Sequence, residues 1–342
     1  MGRGAHLEIA LTDTYRIFGA ELSPYSVKVR SYFRYKELPY EWLQRGRHPE
    51  EFKKYARLPL VPLVVTPDDV PIQDSTPIIE KMEEAHPEPS IYPDDPALRF
   101  LSALIEEYAD EWGNKHMFHY RWWYEPDQIS CSQRIASSML EEGAPQEKIE
   151  QAASTVRERM VPRLSFVGSS AATKDRIESS LANLLNILEA HLEGRRYLLG
   201  NRPAMADLGL WCQIYECSTD PTVGSILAGG FTNTRRWIAD MHQPRNDGDF
   251  ESWDTLGSTL TPLLADEIGA LFLPWSSANA RALAAGLENF TVELLGEPFS
   301  QATQKYHARS LAAIRTKYHC IEDRSQLDPI LEATGCRQAL AG

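Results

Sequence analysis

The segment Ser23-Pro24-Tyr25-Ser26 places two hydroxyl groups where a helix is expected to begin. Ser23 is a favoured N-cap, and Pro24 is a favoured first helical residue because its missing N–H would have no partner there. A hydroxyl donor beside the positive end of a helix dipole also stabilises an anion, such as the thiolate of a thiol whose free pKa is about 8.5. The segment therefore predicts a helix cap or a site for a sulfur anion, with Ser23 the first candidate and Ser26 and Tyr25 behind it.

A second segment, around Pro62, has groups that suit a peptide-like ligand. Pro62 lies between apolar β-forming residues, immediately before a predicted strand. A cis X-Pro bond at this place would turn the N–H and C=O of Val61 toward an extended ligand. An ordinary turn beside an edge strand explains the proline equally well, so both interpretations stay open here.

A third segment, Asp74-Ser75, stands at the start of another predicted helix. The free N–H groups and the dipole of a helix N-terminus favour an anion, so Ser75 would meet an α-carboxylate there and Asp74 an α-amino group. A γ-glutamyl group carries both of these. The alternative is simple capping, since Asp, Ser and Thr are all favoured N-caps and Thr76-Pro77 also suits a helix start.

A strand, a helix and a second strand are expected to position the first segment. Residues 15–18 form a short apolar strand candidate, and residues 39–44 form another. Between them Val29, Tyr32 and Phe33 recur at three- and four-residue steps, which predicts one face of a helix. The opening of the chain therefore predicts a βαβ unit.

A hairpin and a helix are expected to position the other two segments. Residues 63–65 and 70–73 flank Asp68-Asp69, and aspartate tolerates the positive φ of a tight hairpin turn. Pro71 lacks an N–H and so predicts that the second arm is an edge strand. Apolar residues at helical spacing from Ile78 onward predict the helix that follows.

Beyond a proline-rich linker the pattern is helical throughout. Apolar residues repeat at helical spacing from Leu101 to Trp112, and we expect this helix to continue through residue 128. Residues 206–215 are apolar on almost every side, which predicts a helix buried within a bundle. Later helical stripes include Leu283, Leu287, Phe290 and Leu294. We divide the chain into an α/β domain (14–90), an all-helical domain (96–245) and a helical C-terminal extension (246–342) packed on the helical domain.

The order of these parts resembles the glutathione transferase superfamily. The resemblance covers roughly residues 14–245 and implies a thioredoxin-like α/β N-terminal domain followed by an all-α C-terminal domain. It implies glutathione as co-substrate, a cis Val61-Pro62 bond, pairing of Val61 with the cysteinyl main chain, and a hydroxyl of Ser23 facing the sulfur. Tyrosine-type members carry a tyrosine where this chain has Phe18, so the resemblance is to the serine type, which includes bacterial ether-cleaving transferases.

The resemblance also implies a basic side chain for the glycyl carboxylate of glutathione. Arg45, Arg47 and His48 are near enough in sequence. We predict Arg47 as the site residue, and Arg45 and His48 remain alternatives.

An aromatic stripe predicts where a second substrate would bind. Trp112, His116, Tyr120 and Trp123 lie nearly in line on one helix. A core face is the commoner explanation of such a stripe. The resemblance instead implies a pocket for a hydrophobic electrophile, an aromatic one among the options, with Tyr25 of the first segment beside it. His116 and His119 have no matching carboxylate or cysteine spacing, so we predict no metal site.

Composition excludes several classes of partner. The net charge of −13 and the pI near 5.2 disfavour nucleic acid and anionic membrane surfaces. Five cysteines without a C-x-x-C pair fit a reducing cytoplasm rather than a disulfide framework. The first fifteen residues lack a long apolar stretch, and no run reaches the ~18 apolar residues of a membrane helix. We expect a cytoplasmic protein with a small-molecule partner, and the resemblance implies a homodimer.

The function that follows from the resemblance is a glutathione transferase acting on an electrophile. A non-catalytic protein of the same fold, acting in binding or assembly, is the alternative. Many members carry Ser or Thr three residues before the aspartate of the buried helix, here Asp207, and this chain has Ala204 there. The missing side-chain acceptor is compatible with the non-catalytic alternative. A thiol-disulfide reductase is less favoured, because that chemistry needs a cysteine where this chain has Ser23.

Overall fold

The computed structural model describes residues 13–342, and these form two compact units that divide between Glu88 and Pro89. The sequence analysis expected no leader in residues 1–15, and most of these residues lie outside the described part of the chain. The first unit is α/β and the second is predominantly helical, which confirms the predicted fold class. The second unit contains both the predicted helical domain and the predicted extension.

The first unit is a four-stranded sheet with three helices. The sheet has the order β2-β1-β3-β4, with β1 parallel to β2 and antiparallel to β3, and β3 antiparallel to β4. The elements are β1 (Tyr15–Gly19), α1 (Pro24–Tyr35), β2 (Tyr40–Gln44), α2 (Pro49–Tyr55), β3 (Leu63–Val65), β4 (Pro71–Gln73) and α3 (Ser75–Ala85).

The hairpin between β3 and β4 forms as its turn residues predict. Asp69 has a φ of 61°, in the region that aspartate tolerates better than most residues. Pro71 begins β4, which lies at the edge of the sheet, where a missing N–H costs no ladder hydrogen bond. One hydrophobic cluster beneath this sheet consists of Phe18, Leu43, Phe52, Leu63 and Val65.

The second unit contains thirteen α-helices and one hairpin. Its helices are α4 (Pro96–Tyr108), α5 (Asn114–Trp123), α6 (Glu125–Met139), α7 (Gln146–Met160), α8 (Lys174–His191), α9 (Met205–Ser218), α10 (Pro221–Ala228), α11 (Thr232–Asp240), α12 (Trp253–Pro262), α13 (Leu273–Ala284), α14 (Lys305–His319), α15 (Leu327–Ala333) and α16 (Arg337–Ala341). Its strands are β5 (Asn289–Leu294) and β6 (Glu297–Ala302). Short π-helical segments join α4 to α5 (Ala109–Gly113) and α12 to α13 (Leu263–Phe272).

The helix predicted to run through residue 128 ends earlier. It passes through the π-helical segment, stops at Trp123, and a new helix begins at Glu125. Pro126 explains the break, because its ring would clash with the carbonyl of Trp122 in a continuous helix. The side chain of Gln128 donates to the Trp122 carbonyl at 2.8 Å, so that carbonyl keeps a partner.

The prediction of helix around residues 289–294 is wrong, because these residues form β5 of an antiparallel hairpin with β6. Phe290 and Leu294 are buried and four apart, a spacing that also fits alternate positions of a strand. The turn Leu295-Gly296 has positive φ at both residues, as a tight two-residue hairpin requires. The positive φ of these two turn residues therefore favours the two-residue repeat of a strand over the repeat of a helix.

The C-terminal part of the chain packs into the helical unit. Phe100 of α4 and Tyr318 of α14 have ring centroids 5.7 Å apart, and Trp112 and Trp275 have theirs 5.7 Å apart. The continuous helical stretch Trp253–Ala284 has the length and composition of a membrane span, which the sequence analysis did not predict. Half of its most apolar window is buried inside the fold, so its apolar character also suits a core helix.

The start of α9 lacks one half of its expected cap. Ala204 has no side-chain acceptor, but the Asp207 carboxylate accepts the Ala204 N–H at 2.9 Å and the Leu198 N–H at 2.8 Å. Trp237 Nε1 donates to the same carboxylate at 2.9 Å. The reciprocal half of the capping box is therefore present, supported by two further donors.

Restoring the missing acceptor is expected to stabilise the protein. An Ala204→Ser change supplies a side-chain oxygen for the N–H groups of the first turn of α9, which is typically worth about 1 kcal/mol of unfolding free energy. Urea unfolding of both forms, followed by circular dichroism, measures the difference. An unchanged or lower unfolding free energy would show that the buried site cannot use the added hydroxyl.

Candidate functional site

The predicted site segments meet at one end of the sheet in the first unit. Gly19 at the end of β1 pairs with Gln44 at the end of β2. Phe18 pairs with Leu63 at the start of β3, and Leu63 pairs with Gln73 at the end of β4. The segments after β1, β2 and β4 and the segment before β3 therefore lie at the same end. They carry Ser23, Arg47, Asp74-Ser75 and Val61-Pro62.

Ser23 caps α1 and keeps a proton to donate. Its Oγ accepts a hydrogen bond from the Ser26 N–H at 3.3 Å. A hydroxyl that accepts in this way retains its own O–H as a donor. Over residues 13–342 that proton has no acceptor within the protein. The cap and the sulfur-facing donor, opposed in the sequence analysis, are compatible roles for one side chain.

The Val61-Pro62 peptide bond is cis, as the family resemblance implies. The Pro62 carbonyl accepts the Asp74 N–H at 3.3 Å, which joins this segment to the start of α3. Val61 itself is half-buried, and its N–H and C=O have no hydrogen-bond partner in the described part of the chain. An unpaired N–H and C=O beside a strand can pair with an extended peptide.

Asp74 and Ser75 combine backbone strain with an unpaired hydroxyl. Asp74 has φ 82° and ψ 139°, a conformation that costs a non-glycine residue on the order of 1–3 kcal/mol and is commonest at functional sites. Its Oδ1 accepts the Ser75 N–H at 2.8 Å. Ser75 is 1% exposed, and its Oγ has no partner within the described residues. A ligand that offered this hydroxyl a partner would relieve a cost of about 1–3 kcal/mol.

Unpaired polar atoms concentrate at this end of the sheet. Over residues 13–88, the buried side-chain atoms without a hydrogen-bond partner are Ser26 Oγ, Trp42 Nε1, Gln44 Oε1 and Ser75 Oγ. Ser26 is in the first turn of α1, Gln44 ends β2, and Ser75 begins α3. The ring of Trp42 lies against Gly19, where an added Cβ would be 2.3 Å from the ring. Folded proteins leave few such atoms unpaired, so their clustering indicates a site for a polar ligand.

The three basic candidates for the glycyl carboxylate lie beyond the end of β2. Arg45 places its guanidinium 4.8 Å from the centroid of the Phe52 ring. Arg47 is exposed and donates its main-chain N–H to the Gln44 carbonyl at 2.9 Å. His48 is the N-cap residue of α2 without a side-chain capping bond. The choice of Arg47 stays a prediction.

Two members of the aromatic stripe are enclosed in the helical unit. Trp112 is 0% exposed and donates from Nε1 to Ser180 Oγ at 2.9 Å. His116 is also 0% exposed, with Nε2 2.8 Å from the same oxygen. Burial, followed by the positive charges of His119 and Lys115, lowers the pKa of His116 to about 3. For these two residues the structure favours the core explanation of the stripe over a pocket wall.

Acidification is therefore expected to destabilise the protein through His116. Its folded pKa of about 3 lies below the value of about 6.5 of an unfolded histidine, so the unfolded state binds more protons between these pH values. Stability from this group is complete above pH ~6.5 and falls as the pH drops, by about 1.4 kcal/mol per pH unit. Urea unfolding at pH 6.5 and 5 should show a loss that is about 2 kcal/mol smaller for His116→Gln than for the unchanged protein. Equal losses in both forms would mean that His116 is not buried in its neutral form.

The remaining stripe residues surround a carboxylate that the sequence analysis missed. Trp123 is half-buried and stacks on His119 at 5.3 Å, and Tyr120 stacks on Tyr124 at 5.8 Å. Glu178 Oε1 accepts from the Tyr124 hydroxyl at 2.7 Å and lies 3.1 Å from His119 Nε2. Burial raises the pKa of Glu178, but these two hydrogen bonds, together with the positive charges of Lys174 and His119, outweigh burial and lower the pKa overall. Glu178 lies more than fifty residues along the chain, so helical spacing gave no signal for it.

The two histidines considered as metal ligands have other partners. His119 Nδ1 is 2.7 Å from Ser169 Oγ, and His116 bonds to Ser180 as described. Throughout residues 13–342, no group of three or more His, Cys, Asp or Glu side chains is arranged to hold a metal ion.

The sequence matches two protein families, one in the α/β unit and one in the helical unit. Residues 17–90 match the family "Glutathione S-transferase, N-terminal domain" and residues 171–240 match "Glutathione S-transferase, C-terminal domain". No curated protein matches the sequence. A glutathione S-transferase from Rhodospirillum rubrum F11 is 21% identical, with 66% of this chain and 86% of that chain covered and a TM-score of 0.41.

Two other solved structures show similar coverage. A glutathione S-transferase from Methylobacillus flagellatus KT, solved with glutathione bound, is 17% identical over 66% of this chain and 93% of that one, with a TM-score of 0.39. The β-etherase LigF from Sphingobium sp. strain SYK-6 is 20% identical over 68% of this chain and 95% of that one, with a TM-score of 0.47. The consecutive N-terminal and C-terminal family matches, on the α/β unit and on the helical unit, place this chain in the glutathione S-transferase superfamily.

Proposed function

We propose that this chain is a glutathione transferase of the serine type, which binds glutathione at the end of the sheet in the first unit. The observation that carries the proposal is the set of unpaired polar groups there. The main chain of Val61 and the buried hydroxyl of Ser75 lack partners where a γ-glutamyl-cysteinyl peptide needs them. Both lie at the sheet end that also carries Ser23.

Each residue of the site has one role in this proposal. Val61 pairs with the cysteinyl main chain of glutathione, and Arg47 meets the glycyl carboxylate. Ser75 binds the α-carboxylate and Asp74 the α-amino group of the γ-glutamyl residue. Ser23 donates its hydroxyl hydrogen bond to the sulfur while the N-terminus of α1 adds partial positive charge. Both effects favour the thiolate and therefore lower the thiol pKa.

We assign the nucleophile of the reaction to glutathione and not to a buried cysteine of the protein. Burial raises the pKa of Cys131 and of Cys336 to about 11, and it also raises the pKa of Cys217. These thiols stay protonated near neutral pH. The glutathione thiolate instead attacks an electrophilic carbon, a C–S bond forms, and the leaving group departs with the bonding electron pair. The absence of sulfur at Ser23 and Ser26 disfavours a mixed-disulfide mechanism.

The electrophile is proposed to be a small hydrophobic molecule. In the helical unit, Trp123 is half-buried and Tyr120 is 6% exposed but carries a hydroxyl, so these two remain candidates for contacting it. The assignment of Tyr25 stays a prediction. Aromatic side chains that combine an apolar face with a polar end suit an aromatic electrophile with a polar substituent.

Retention on immobilised glutathione and turnover of an electrophile panel test this function. We expect the protein to be retained, to elute with free glutathione, and to consume at least one aromatic electrophile in a glutathione-dependent manner. Retention without any turnover would support the non-catalytic alternative, since a fold does not fix a function. Failure to be retained, together with no heat of binding in calorimetry, would contradict both.

A homodimer in the cytoplasm completes the proposal. We propose a dimer because of the family resemblance. We propose a reducing compartment because the cysteines are scattered along the chain. Light scattering coupled to size-exclusion chromatography would report about twice the chain mass of 38.7 kDa for a dimer.

A further inference from the structure

Gln73 uses its whole side-chain amide to hold one loop. Its Oε1 accepts the main-chain N–H groups of Arg57 at 3.2 Å and Leu58 at 3.1 Å. Its Nε2 donates to the carbonyls of Leu58 and Leu60, both at 2.7 Å. A primary amide offers two donors and two acceptor sites on adjacent atoms, so one side chain meets all four main-chain groups.

The loop held by Gln73 has little else to fix it. Leu58 and Leu60 are 58% and 61% exposed, so burial contributes little to its order. Across residues 13–342, every hydrogen bond made by residues 57–60 goes to Gln73. A segment with few buried contacts and exposed hydrogen bonds opens easily when its one restraint is removed.

The loop leads directly into the main chain that the proposed function assigns to the ligand. Residue 60 precedes Val61, and Gln73 itself precedes Asp74-Ser75. Gln73 also pairs with Leu63 in the sheet, so it ties the start of β3 to the end of β4. One side chain thus connects the segment for the cysteinyl main chain to the segment for the γ-glutamyl group.

We propose that Gln73 is a positioning residue for glutathione, which fixes the Val61 main chain in its ligand-pairing place before binding. This inference rests on the proposed function. Holding the loop in advance removes an entropy cost that a mobile loop would incur on binding, so Gln73 strengthens affinity without touching the sulfur. Ser23, the N-cap of α1 in the segment after β1, keeps control of the thiol pKa.

Two variants of similar size test this role. Gln73→Met removes all four hydrogen bonds without adding charge. Gln73→Glu keeps an acceptor oxygen but loses both donors and turns a carboxylate toward the carbonyls of Leu58 and Leu60. In calorimetry with glutathione, we expect the dissociation constant to rise about 10- to 100-fold in both variants, equivalent to ~1.4–2.8 kcal/mol. The absorbance titration of the bound thiol should give an unchanged pKa.

Hydrogen exchange of the free protein supplies the structural readout. The Leu58 amide should exchange faster in Gln73→Met, while the amides of β1, outside the loop, keep their protection. A raised dissociation constant in Gln73→Glu alone would overturn the inference, because charge repulsion of the ligand would then explain it. Unchanged affinity in both variants would also overturn it while leaving the proposed function intact. Absence of glutathione binding to the unchanged protein would instead contradict the proposed function.

Discussion

Replacing Ser23 by alanine is expected to raise the pKa of the bound glutathione thiol by about 1–2 units, because a hydrogen bond to a charged group is worth about 1.5–3 kcal/mol. At pH values below the thiol pKa of the unchanged complex, the thiolate fraction then falls by about 10- to 100-fold. The conjugation rate falls less steeply, since a more basic thiolate is also a stronger nucleophile. The thiolate absorbance near 240 nm, followed against pH with saturating glutathione, measures the pKa directly.

Two further variants separate the roles of the hydroxyl groups in this first turn. Ser23→Thr keeps both the cap and the O–H donor, so the thiol pKa should stay near that of the unchanged protein. Ser26→Ala removes the neighbouring buried hydroxyl and should leave the thiol pKa unchanged. If Ser26→Ala raised the thiol pKa and Ser23→Ala did not, the proposal would have assigned the wrong serine. The loss of the cap in Ser23→Ala costs only about 1 kcal/mol of stability.

Removing the Arg121 guanidinium is expected to lower the free energy of unfolding by about 3–5 kcal/mol. Arg121 Nε donates to Asp220 Oδ2 at 2.7 Å, and its Nη2 donates to Glu216 Oε2 at 2.8 Å. The side chains of all three residues are 4% exposed or less. Arg121→Met fills much of the space but leaves the buried Glu216 carboxylate without its paired cation and leaves Asp220 with Arg134 alone. Chemical unfolding followed by tryptophan fluorescence measures the loss.

The loss in Arg121→Met should depend on pH in a defined direction. Burial raises the pKa of Glu216 and of Asp220, and Arg121 opposes this increase. Without Arg121 both folded pKa values rise further above their unfolded values. Stability then falls as the pH rises through that window, so the difference from the unchanged protein is larger at pH 8 than at pH 5.

A surface variant provides the control for this experiment. Arg337 has a side-chain exposure of 47% and pairs with Glu332 at 3.2 Å. Arg337→Met should change the unfolding free energy by less than about 1 kcal/mol, because exposed ion pairs contribute little. A small effect for Arg121→Met, similar to that of Arg337→Met, would mean that the buried carboxylates find other partners.

The α/β unit was predictable because its signals are local. Asp68-Asp69 marks the hairpin turn, Pro71 marks the edge strand, and Ser23-Pro24 marks the start of α1, each within a few residues of the feature it determines. The helical spacing of Phe290 and Leu294 failed because four residues is also two strand repeats, and the positive φ of Leu295 is visible only in the structure.

The candidate site was predictable as far as its residues belong to motifs that can be recognised along the chain. Ser23, Val61, Asp74 and Ser75 were selected from motifs, and the sheet register brings their segments to one end. The partners of these motifs were not predictable. Gln73 reaches the loop at residues 57–60 through side-chain geometry, and spacing gives no sign of it.

The aromatic stripe shows the same limit of predictions that rest on residue spacing. Trp112 and His116 share a helical face with Tyr120, but the first two are enclosed through Ser180, more than sixty residues along the chain. Periodicity identifies the face of a helix and not what covers it. Tertiary contacts therefore decide which stripe residues can meet a substrate.

A crystal structure of this protein soaked with glutathione tests the central claim most directly. The account predicts the tripeptide at the end of the four-stranded sheet, with its cysteinyl N–H and C=O paired to Val61 and its sulfur within hydrogen-bonding distance of Ser23 Oγ. Its γ-glutamyl group should lie at Asp74-Ser75. Glutathione bound with its sulfur away from the start of α1, or a sheet end that excludes the tripeptide at saturating concentration, would contradict the account.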